Sequence, residues 1–442
     1  MGANVFDALL AIEIINGPLI AVFYIISIAA ALYLLLRRPT AIWIATALVG
    51  ILAGAVIGAA TVFIVNAMGT FGEPLPSQAA IWVIVTFAAI ALAIVNLWRS
   101  RWWRKFIAAV SIIIFALTGT LAINAYYGLN HTVGSMFGVV TGKAIDGGVG
   151  PVNTSTADPT KPLWQTWKPP ADMPKTGKTG LLTGKDAIPN TLSGFKARDA
   201  SLYLPPAAQV KNAPRLPFVL LMMGQPGTPD PQYIAAVLDT YAAQHEGLAP
   251  IVVVADQLGN PSVDPVCADS TKYGKVHTYL TQDVVNWAKT NLNILREPKY
   301  WTIAGYSNGG ACAFQLAAQS PDVWGNLLDI SGDEFPGVET QDATIRDIFG
   351  GNKAAFEASK PTSILAAHKG GYTDSDAIFT VGQNDPGFIP GADRNAKAAQ
   401  AAGMTTTYYV VPGAGHVVDA LNGGLTKGFE VLYPRLGLSK PN

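Results

Sequence analysis

The amino-acid sequence predicts an α/β domain with a mostly parallel sheet, preceded by an all-α four-helix transmembrane domain. Only nine charged side chains fall within residues 1–130 of this 442-residue chain. The chain as a whole is 14% charged, against roughly 25% in ordinary soluble domains. The later residues alternate short β-branched runs with helical segments, a pattern typical of a parallel sheet.

The first domain, residues 1–130, contains four apolar stretches without a charged side chain. Each is near the length of about 20 residues that a helix needs to cross a bilayer. We therefore expect membrane-spanning helices at residues 17–36, 41–65, 79–98 and 106–127. Because the spans lack charges, an anchor is favoured over a transporter or channel.

The charge distribution of the loops predicts the orientation of this domain. All six basic residues of the domain lie in two loops, around Arg37 and around Arg101, and such loops stay in the cytoplasm. We therefore expect a multi-pass protein of the cytoplasmic membrane with an extracytoplasmic N-terminus and C-terminal domain. Gly50, Gly54 and Gly58 share one face of the second helix, which we expect to pack closely against a neighbour.

Residues 131–178 are rich in Gly, Pro and Thr and predict a linker with little regular structure. Residues 179–442 predict the α/β domain. Its expected strands lie at 196–204, 216–223, 249–256, 299–306, 326–331, 376–382 and 405–411, with a candidate first strand within 180–189.

The motif Gly305-Tyr306-Ser307-Asn308-Gly309 directly follows a predicted strand and precedes a predicted helix. The pattern GxSxG is weak by itself, but the strand-turn-helix setting is that of a nucleophile elbow. The alternative is an ordinary glycine-rich helix start with serine as a cap. The setting favours Ser307 as a nucleophile.

A serine nucleophile needs an acid and then a histidine later in the chain. Of the five histidines, only His416, in VVPGAGH, lies in a glycine-rich turn straight after a late predicted strand. Asp385, in AIFTVGQND, follows the penultimate strand and is the favoured acid. Asp333, in ISGDEF, is the rival.

An oxyanion hole requires two backbone N–H groups aimed at the developing charge. We expect one from Asn308 and the other from Gln225, in the turn Gly224-Gln225-Pro226-Gly227, since Pro226 has no N–H. The alternative for this segment is a plain Gly-Pro turn.

The two cysteines, Cys267 and Cys312, are an even number and permit a disulfide outside the cytoplasm, which we expect. The alternative is a buried Cys312 that packs as a small apolar residue.

A net charge of zero argues against a nucleic-acid partner. No clustered His, Cys and carboxylate spacing predicts a metal, and no cofactor is implied; Asp264 and Asp269 are expected in a polar loop.

Residues 179–442 resemble the esterase D and mycolyltransferase branch of the α/β-hydrolases. The resemblance rests on SGFKARDASLYLPPA, HTYLTQDVVNWAKTNL, GYSNGGACAFQLAAQSPDVWGNLLDISG, VGQND and PGAGH. It implies an α/β-hydrolase fold, with Ser307, Asp385 and His416 as nucleophile, acid and base. Mycolyltransferases commonly have an aspartate where this chain has Met223, and a glutamate at the Asp385 position.

The four-helix domain joined to such an esterase resembles membrane-anchored envelope esterases of actinobacteria. The resemblance implies a serine ester hydrolase that forms an acyl-enzyme on an ester linked to membrane or envelope lipid, whether acyl, aminoacyl or mycolyl. Two alternatives stay open: an acyltransferase of the mycolyltransferase type, and a catalytically inactive, membrane-tethered binding module. The ordered serine, acid and histidine favour the enzyme.

Overall fold

The structure, a computed structural model, describes residues 5–68, 74–147 and 161–441. The chain divides into two compact units, Met1–Phe137 and Gly138–Asn442. The boundary lies within the segment expected to be a linker, residues 131–178. Part of that segment, residues 148–160, lies outside the described residues.

The first unit is all-α. Its helices are α1 Val5–Leu10, α2 Pro18–Leu35, α3 Ala41–Ala67, α4 Ser77–Asn96, α5 Trp102–Tyr127 and α6 Val133–Met136. Helices α2 to α5 correspond to the four predicted spans and are long and apolar enough to cross a membrane. The side chain of Thr40 caps α3 by accepting the Trp43 N–H, and Gly128 ends α5 in the left-handed conformation.

The glycine face of α3 packs against α4, as the sequence predicted. A Cβ atom at Gly54 would lie 2.9 Å from the Cα atom of Ala88, and one at Gly58 would lie 2.7 Å from the Cα atom of Ile84. Real side chains do not fit at these distances. The two helices therefore approach backbone to backbone, which only small residues allow.

The second unit is built on an eight-stranded sheet. The strands are β1 Lys178–Leu181, β2 Ser201–Leu204, β3 Phe218–Met222, β4 Ile251–Ala255, β5 Trp301–Tyr306, β6 Asn326–Ile330, β7 Asp376–Gly382 and β8 Thr405–Val411. They lie in the order β1-β2-β4-β3-β5-β6-β7-β8. β2 pairs antiparallel with β1 and β4, and every other pairing is parallel. The prediction of a mostly parallel sheet is confirmed.

The second strand is shorter than its predicted range, 196–204. Its first residues do not pair with a neighbouring strand: the backbone N–H of Arg198 donates instead to the Asp256 carboxylate, at 2.7 Å. This side-chain acceptor, distant in the sequence, takes the place of a strand partner at Arg198, and the strand begins at Ser201. In the centre of the sheet, strands β3 to β6 are buried along their whole length, as parallel strands covered on both faces are.

The helices of the second unit lie before, between and after the strands. They are α7 Leu163–Thr166, α8 Gln232–Gln244, α9 Val276–Thr278, α10 Val284–Asn291, α11 Asn308–Gln319, α12 Gln341–Asp347, α13 Lys353–Ser359, α14 Pro361–Ala367, α15 Ile389–Ala402 and α16 Val418–Arg435. A π-helical turn, Tyr279–Asp283, joins α9 to α10. Short 3-10 turns occur at Gly184–Asp186, Pro206–Gln209, Pro298–Tyr300 and Val338–Thr340, and a small hairpin pairs Asp269–Ser270 with Gly274–Lys275.

The parallel pairing determines where the predicted functional residues meet. β5, β7 and β8 run in the same direction, so the loops that follow them leave the same edge of the sheet. Ser307 directly follows β5, Asp385 follows β7 and His416 follows β8. This edge is the place to look for a site.

Candidate active site

Ser307 occupies a sharp turn between β5 and α11. Its backbone has φ 54° and ψ −123°, a conformation that costs a non-glycine residue on the order of 1–3 kcal/mol. A Cβ atom at Gly305 would collide with the Gly309 carbonyl, and one at Gly309 would collide with the Met222 carbonyl. Both glycines of the motif are therefore required by close backbone packing, and the turn has the geometry of a nucleophile elbow.

The three residues predicted as nucleophile, base and acid form one hydrogen-bonded chain. The Nε2 atom of His416 lies 2.9 Å from the hydroxyl oxygen of Ser307. Its Nδ1 atom lies 2.8 Å from an Asp385 carboxylate oxygen. The Asp385 side chain is 2% exposed and that of His416 is 26% exposed. A base within reach of the nucleophile and oriented by a buried acid is the arrangement that nucleophilic catalysis requires.

Two aromatic rings hold the imidazole in place. The ring of Phe388 stacks on His416 with 3.9 Å between ring centroids and 21° between planes. The fully buried ring of Tyr306 lies near the imidazole, at 5.3 Å and 25°. Sequence reasoning missed Phe388, because its part in the site depends on a ring stack with a histidine in another loop. The stacking restricts the ring to one plane.

Hydrogen bonds also join the loop that contains the acid to the loop that contains the histidine. Asn384 donates its backbone N–H to the Ala414 carbonyl at 2.7 Å and its side-chain amide to the Gly413 carbonyl at 2.9 Å. Gly413 donates its N–H to the side-chain oxygen of Gln383 at 2.8 Å. The acid and the base are thus fixed relative to each other by the residues that flank them.

The rival acid, Asp333, lies in a different environment. Burial, together with the nearby carboxylates of Glu339 and Asp264, raises the pKa of Asp333 to about 8. Burial also raises the pKa of Asp329 to about 7. Asp333 is therefore mostly neutral at pH 7 and cannot provide the negative charge that stabilises an imidazolium. The raised pKa of Asp333 argues against it as the acid. Asp385 is favoured, because its carboxylate contacts His416.

The two segments that contain the predicted oxyanion residues both adjoin Ser307. Asn308 is the first residue of α11, so its N–H has no carbonyl one turn earlier in the helix to bind. Gly224 packs directly on the nucleophile: a Cβ there would lie 3.2 Å from the Cβ atom of Ser307. The Gln225 side chain donates to the Pro261 carbonyl at 3.2 Å. The turn that contains Gln225 and the start of α11 therefore both adjoin the nucleophile, and the assignment of the two N–H donors stays a prediction.

A disulfide joins Cys267 to Cys312, with 5.7 Å between their Cα atoms. Both residues are fully buried. The bond fastens the loop after β4 to helix α11, five residues beyond the nucleophile. The predicted alternative, a Cys312 thiol that packs as a small apolar residue, does not hold in this structure.

Three of the remaining histidines form contacts away from the triad. The His277 ring lies 3.1 Å from the Gln319 side chain, the His368 ring contacts the Ile364 carbonyl at 3.0 Å, and His245 packs against Tyr433. Within residues 5–68, 74–147 and 161–441, no group of three or more His, Cys, Asp or Glu side chains is placed to hold a metal ion.

The mostly parallel eight-stranded sheet fits the α/β-hydrolase class. A model of the family described as putative esterase matches residues 196–424. An uncharacterized protein of Corynebacterium glutamicum is 32% identical over 377 residues, which cover 83% of this chain and 84% of that protein. The chain belongs to the putative esterase family.

Two solved structures are similar to part of this chain. An S-formylglutathione hydrolase from Agrobacterium tumefaciens is 16% identical, covers 60% of this chain and 98% of its own, and superposes with a TM-score of 0.49. A ferulic acid esterase is 15% identical, covers 59% of this chain and 98% of its own, and has a TM-score of 0.47.

Proposed function

We propose that this protein is a serine ester hydrolase that acts through an acyl-enzyme on the outer face of the cytoplasmic membrane. The observation that supports it most strongly is the chain of hydrogen bonds from Ser307 through His416 to buried Asp385. Membership of the putative esterase family supports the same chemistry.

The geometry suits a two-step acyl transfer. The Ser307 hydroxyl attacks the ester carbonyl while His416 takes its proton, and Asp385 stabilises the imidazolium that forms. The backbone N–H groups of Asn308 and Gln225 bind the oxyanion. His416 then returns the proton to the departing alcohol, which leaves an acyl ester on Ser307. Water, deprotonated by His416, attacks this ester and releases the acid.

The helices of the first unit support membrane attachment. The two basic loops lie together at one end of this unit, since the Arg37 guanidinium donates to the Arg99 carbonyl at 2.6 Å and that of Arg104 donates to the Tyr33 carbonyl at 3.2 Å. Basic loops are retained in the cytoplasm. In this proposal α2 to α5 span the membrane, and the N-terminus and the second unit lie outside.

The tether to the bilayer favours a lipid-linked ester as substrate, whether acyl, aminoacyl or mycolyl. An enzyme joined to membrane helices encounters such esters at a high effective concentration. The partners in this proposal are the bilayer and the lipid ester. With a hydroxyl of a sugar or lipid in place of water, the same acyl-enzyme would give transfer.

The full-length protein in detergent micelles tests the proposal. We expect turnover of p-nitrophenyl esters and, with extracted envelope lipids, release of an acid that mass spectrometry identifies. His416→Ala is the matched control and should lose both activities. Acylated product on an added hydroxyl acceptor would show transfer instead of hydrolysis. Absence of turnover on every ester, together with lipid binding, would contradict the proposal and indicate a binding module.

A further inference from the structure

We propose that Gln257 is a positioning residue of the oxyanion hole, because its side-chain amide joins the two segments that contain the oxyanion N–H groups. The inference rests on the proposed serine-hydrolase function and adds a residue that the triad and the oxyanion prediction do not include. Gln257 lies two residues beyond the end of β4 and is 2% exposed.

The amide of Gln257 donates in two directions. Its Nε2 atom lies 2.5 Å from the Met223 carbonyl oxygen and 3.1 Å from the side-chain oxygen of Asn308. Met223 immediately precedes the turn with Gly224 and Gln225. Asn308 immediately follows the nucleophile. One neutral side chain therefore joins the segment on one side of the scissile carbonyl to the segment on the other.

The Asn308 side chain is held from its other end as well. Its oxygen faces Gln257, so its amide nitrogen is free to donate to Asp264, with which it forms a side-chain hydrogen bond. The Asp264 carboxylate is itself fixed by the Val266 N–H at 2.8 Å. Asn308 consequently has one side-chain orientation, which fixes the first residue of α11 and its backbone N–H.

The Gly227 end of the turn at residues 224–227 is held by Arg198, which pairs with Asp256, the residue before Gln257. The Arg198 guanidinium donates to the Gly227 carbonyl at 2.9 Å and pairs with the fully buried Asp256 carboxylate at 2.7 Å. That carboxylate also accepts the Leu258 N–H at 3.1 Å. Hydrogen bonds therefore fix Asp256 and Leu258, the residues on either side of Gln257. The turn at residues 224–227 is held at Met223 and at Gly227.

Positioning of this kind matters because an oxyanion donor works only when it lies about 2.7–3.1 Å from the developing charge. A misplacement of about 1 Å can cost roughly 10²-fold in rate. We expect Gln257→Met, which keeps the length of the side chain and removes its donors, to lower kcat about 10-fold to 100-fold. KM and the pH profile should change little, since none of the hydrogen bonds of Gln257 reaches the triad.

The test uses the full-length protein in detergent and an aryl trifluoromethyl ketone, whose adduct with Ser307 has an oxyanion. The inhibition constant of Gln257→Met should rise by about the factor by which kcat/KM falls. The matched control is Asn326→Leu, which removes another buried amide, one that donates to the Lys299 carbonyl at 2.8 Å and the Trp301 carbonyl at 3.1 Å at the opposite edge of the sheet. Asn326→Leu should lose stability and keep the wild-type inhibition constant.

Two results would overturn the inference. Wild-type kcat and inhibition constant in Gln257→Met would overturn the inference. If that variant does not fold, Gln257→Asn, which keeps an amide too short to reach both partners, is judged by the same two constants. A wild type that neither turns over esters nor binds the ketone would overturn the serine-hydrolase proposal, and the role of Gln257 with it.

Discussion

Replacement of Asp385 by asparagine tests the assignment of the acid. His416 gains a positive charge when it takes the Ser307 proton, 2.8 Å from the Asp385 carboxylate. At an effective dielectric constant of about 20, two unit charges at that separation attract by about 6 kcal/mol. Loss of that attraction from the transition state would slow kcat by on the order of 10⁴. Because asparagine retains a polar contact with the ring, this figure is an upper value.

The assay is the initial rate of p-nitrophenyl ester turnover by full-length Asp385→Asn in detergent, with wild type and Asp333→Asn alongside. Asp333→Asn should keep nearly full activity, because Asp333 is mostly neutral at pH 7. An inactive Asp333→Asn beside an active Asp385→Asn would refute the reasoning.

Asp333→Asn also has an expected effect on stability. The pKa of Asp333 is about 8 in the folded protein and near 3.9 in an unfolded chain. The folded state thus holds this proton more tightly, so the carboxyl destabilises the fold increasingly as pH rises from about 4 to 8. The urea midpoint of Asp333→Asn relative to wild type should therefore rise over that range; a constant difference would contradict the raised pKa.

Three further predictions concern the rest of the chain. Cys267→Ala/Cys312→Ala should lose about 4 kcal/mol of unfolding free energy, the loop-entropy value for a 45-residue separation; alkylation of both thiols in unreduced wild type would exclude the bond. Gly54→Leu should destabilise the first unit in detergent, whereas Ala53→Leu, at an exposed position of the same helix, should not; equal melting temperatures would contradict the close packing of α3 and α4. A phosphatase reporter fused after Asn130 should be active, because that position is expected outside the cytoplasm. A reporter located in the cytoplasm would contradict the predicted orientation.

Much of the fold was predictable because the two units of the chain have different sequence patterns. Helices α2 to α5 follow from long uncharged apolar runs, and β4 follows from the run Ile-Val-Val-Val, which suits a strand buried on both faces. The start of β2 was not predictable, because it depends on the Asp256 carboxylate, 58 residues away, capturing the Arg198 N–H. A contact between residues so far apart in the sequence leaves no signal in the residues around either of them.

The same distinction applies to the site. Ser307 and His416 were recognisable from local context, a strand-turn-helix motif and a glycine-rich turn. Phe388 and Gln257 were not, because what makes them part of the site is a ring stack and an amide that bridges two distant loops. Asp385 was distinguishable from Asp333 only by its order in the chain; the structure adds the contact with His416.

Labelling with a fluorophosphonate probe tests the central claim, covalent catalysis at Ser307, most directly. The probe forms a bond to an activated serine hydroxyl. Full-length wild type should be labelled at Ser307, as peptide mass spectrometry can locate, and Ser307→Ala should lose both the label and ester turnover by orders of magnitude. Undiminished turnover by Ser307→Ala, or a label on another residue that persists in the variant, would contradict the account.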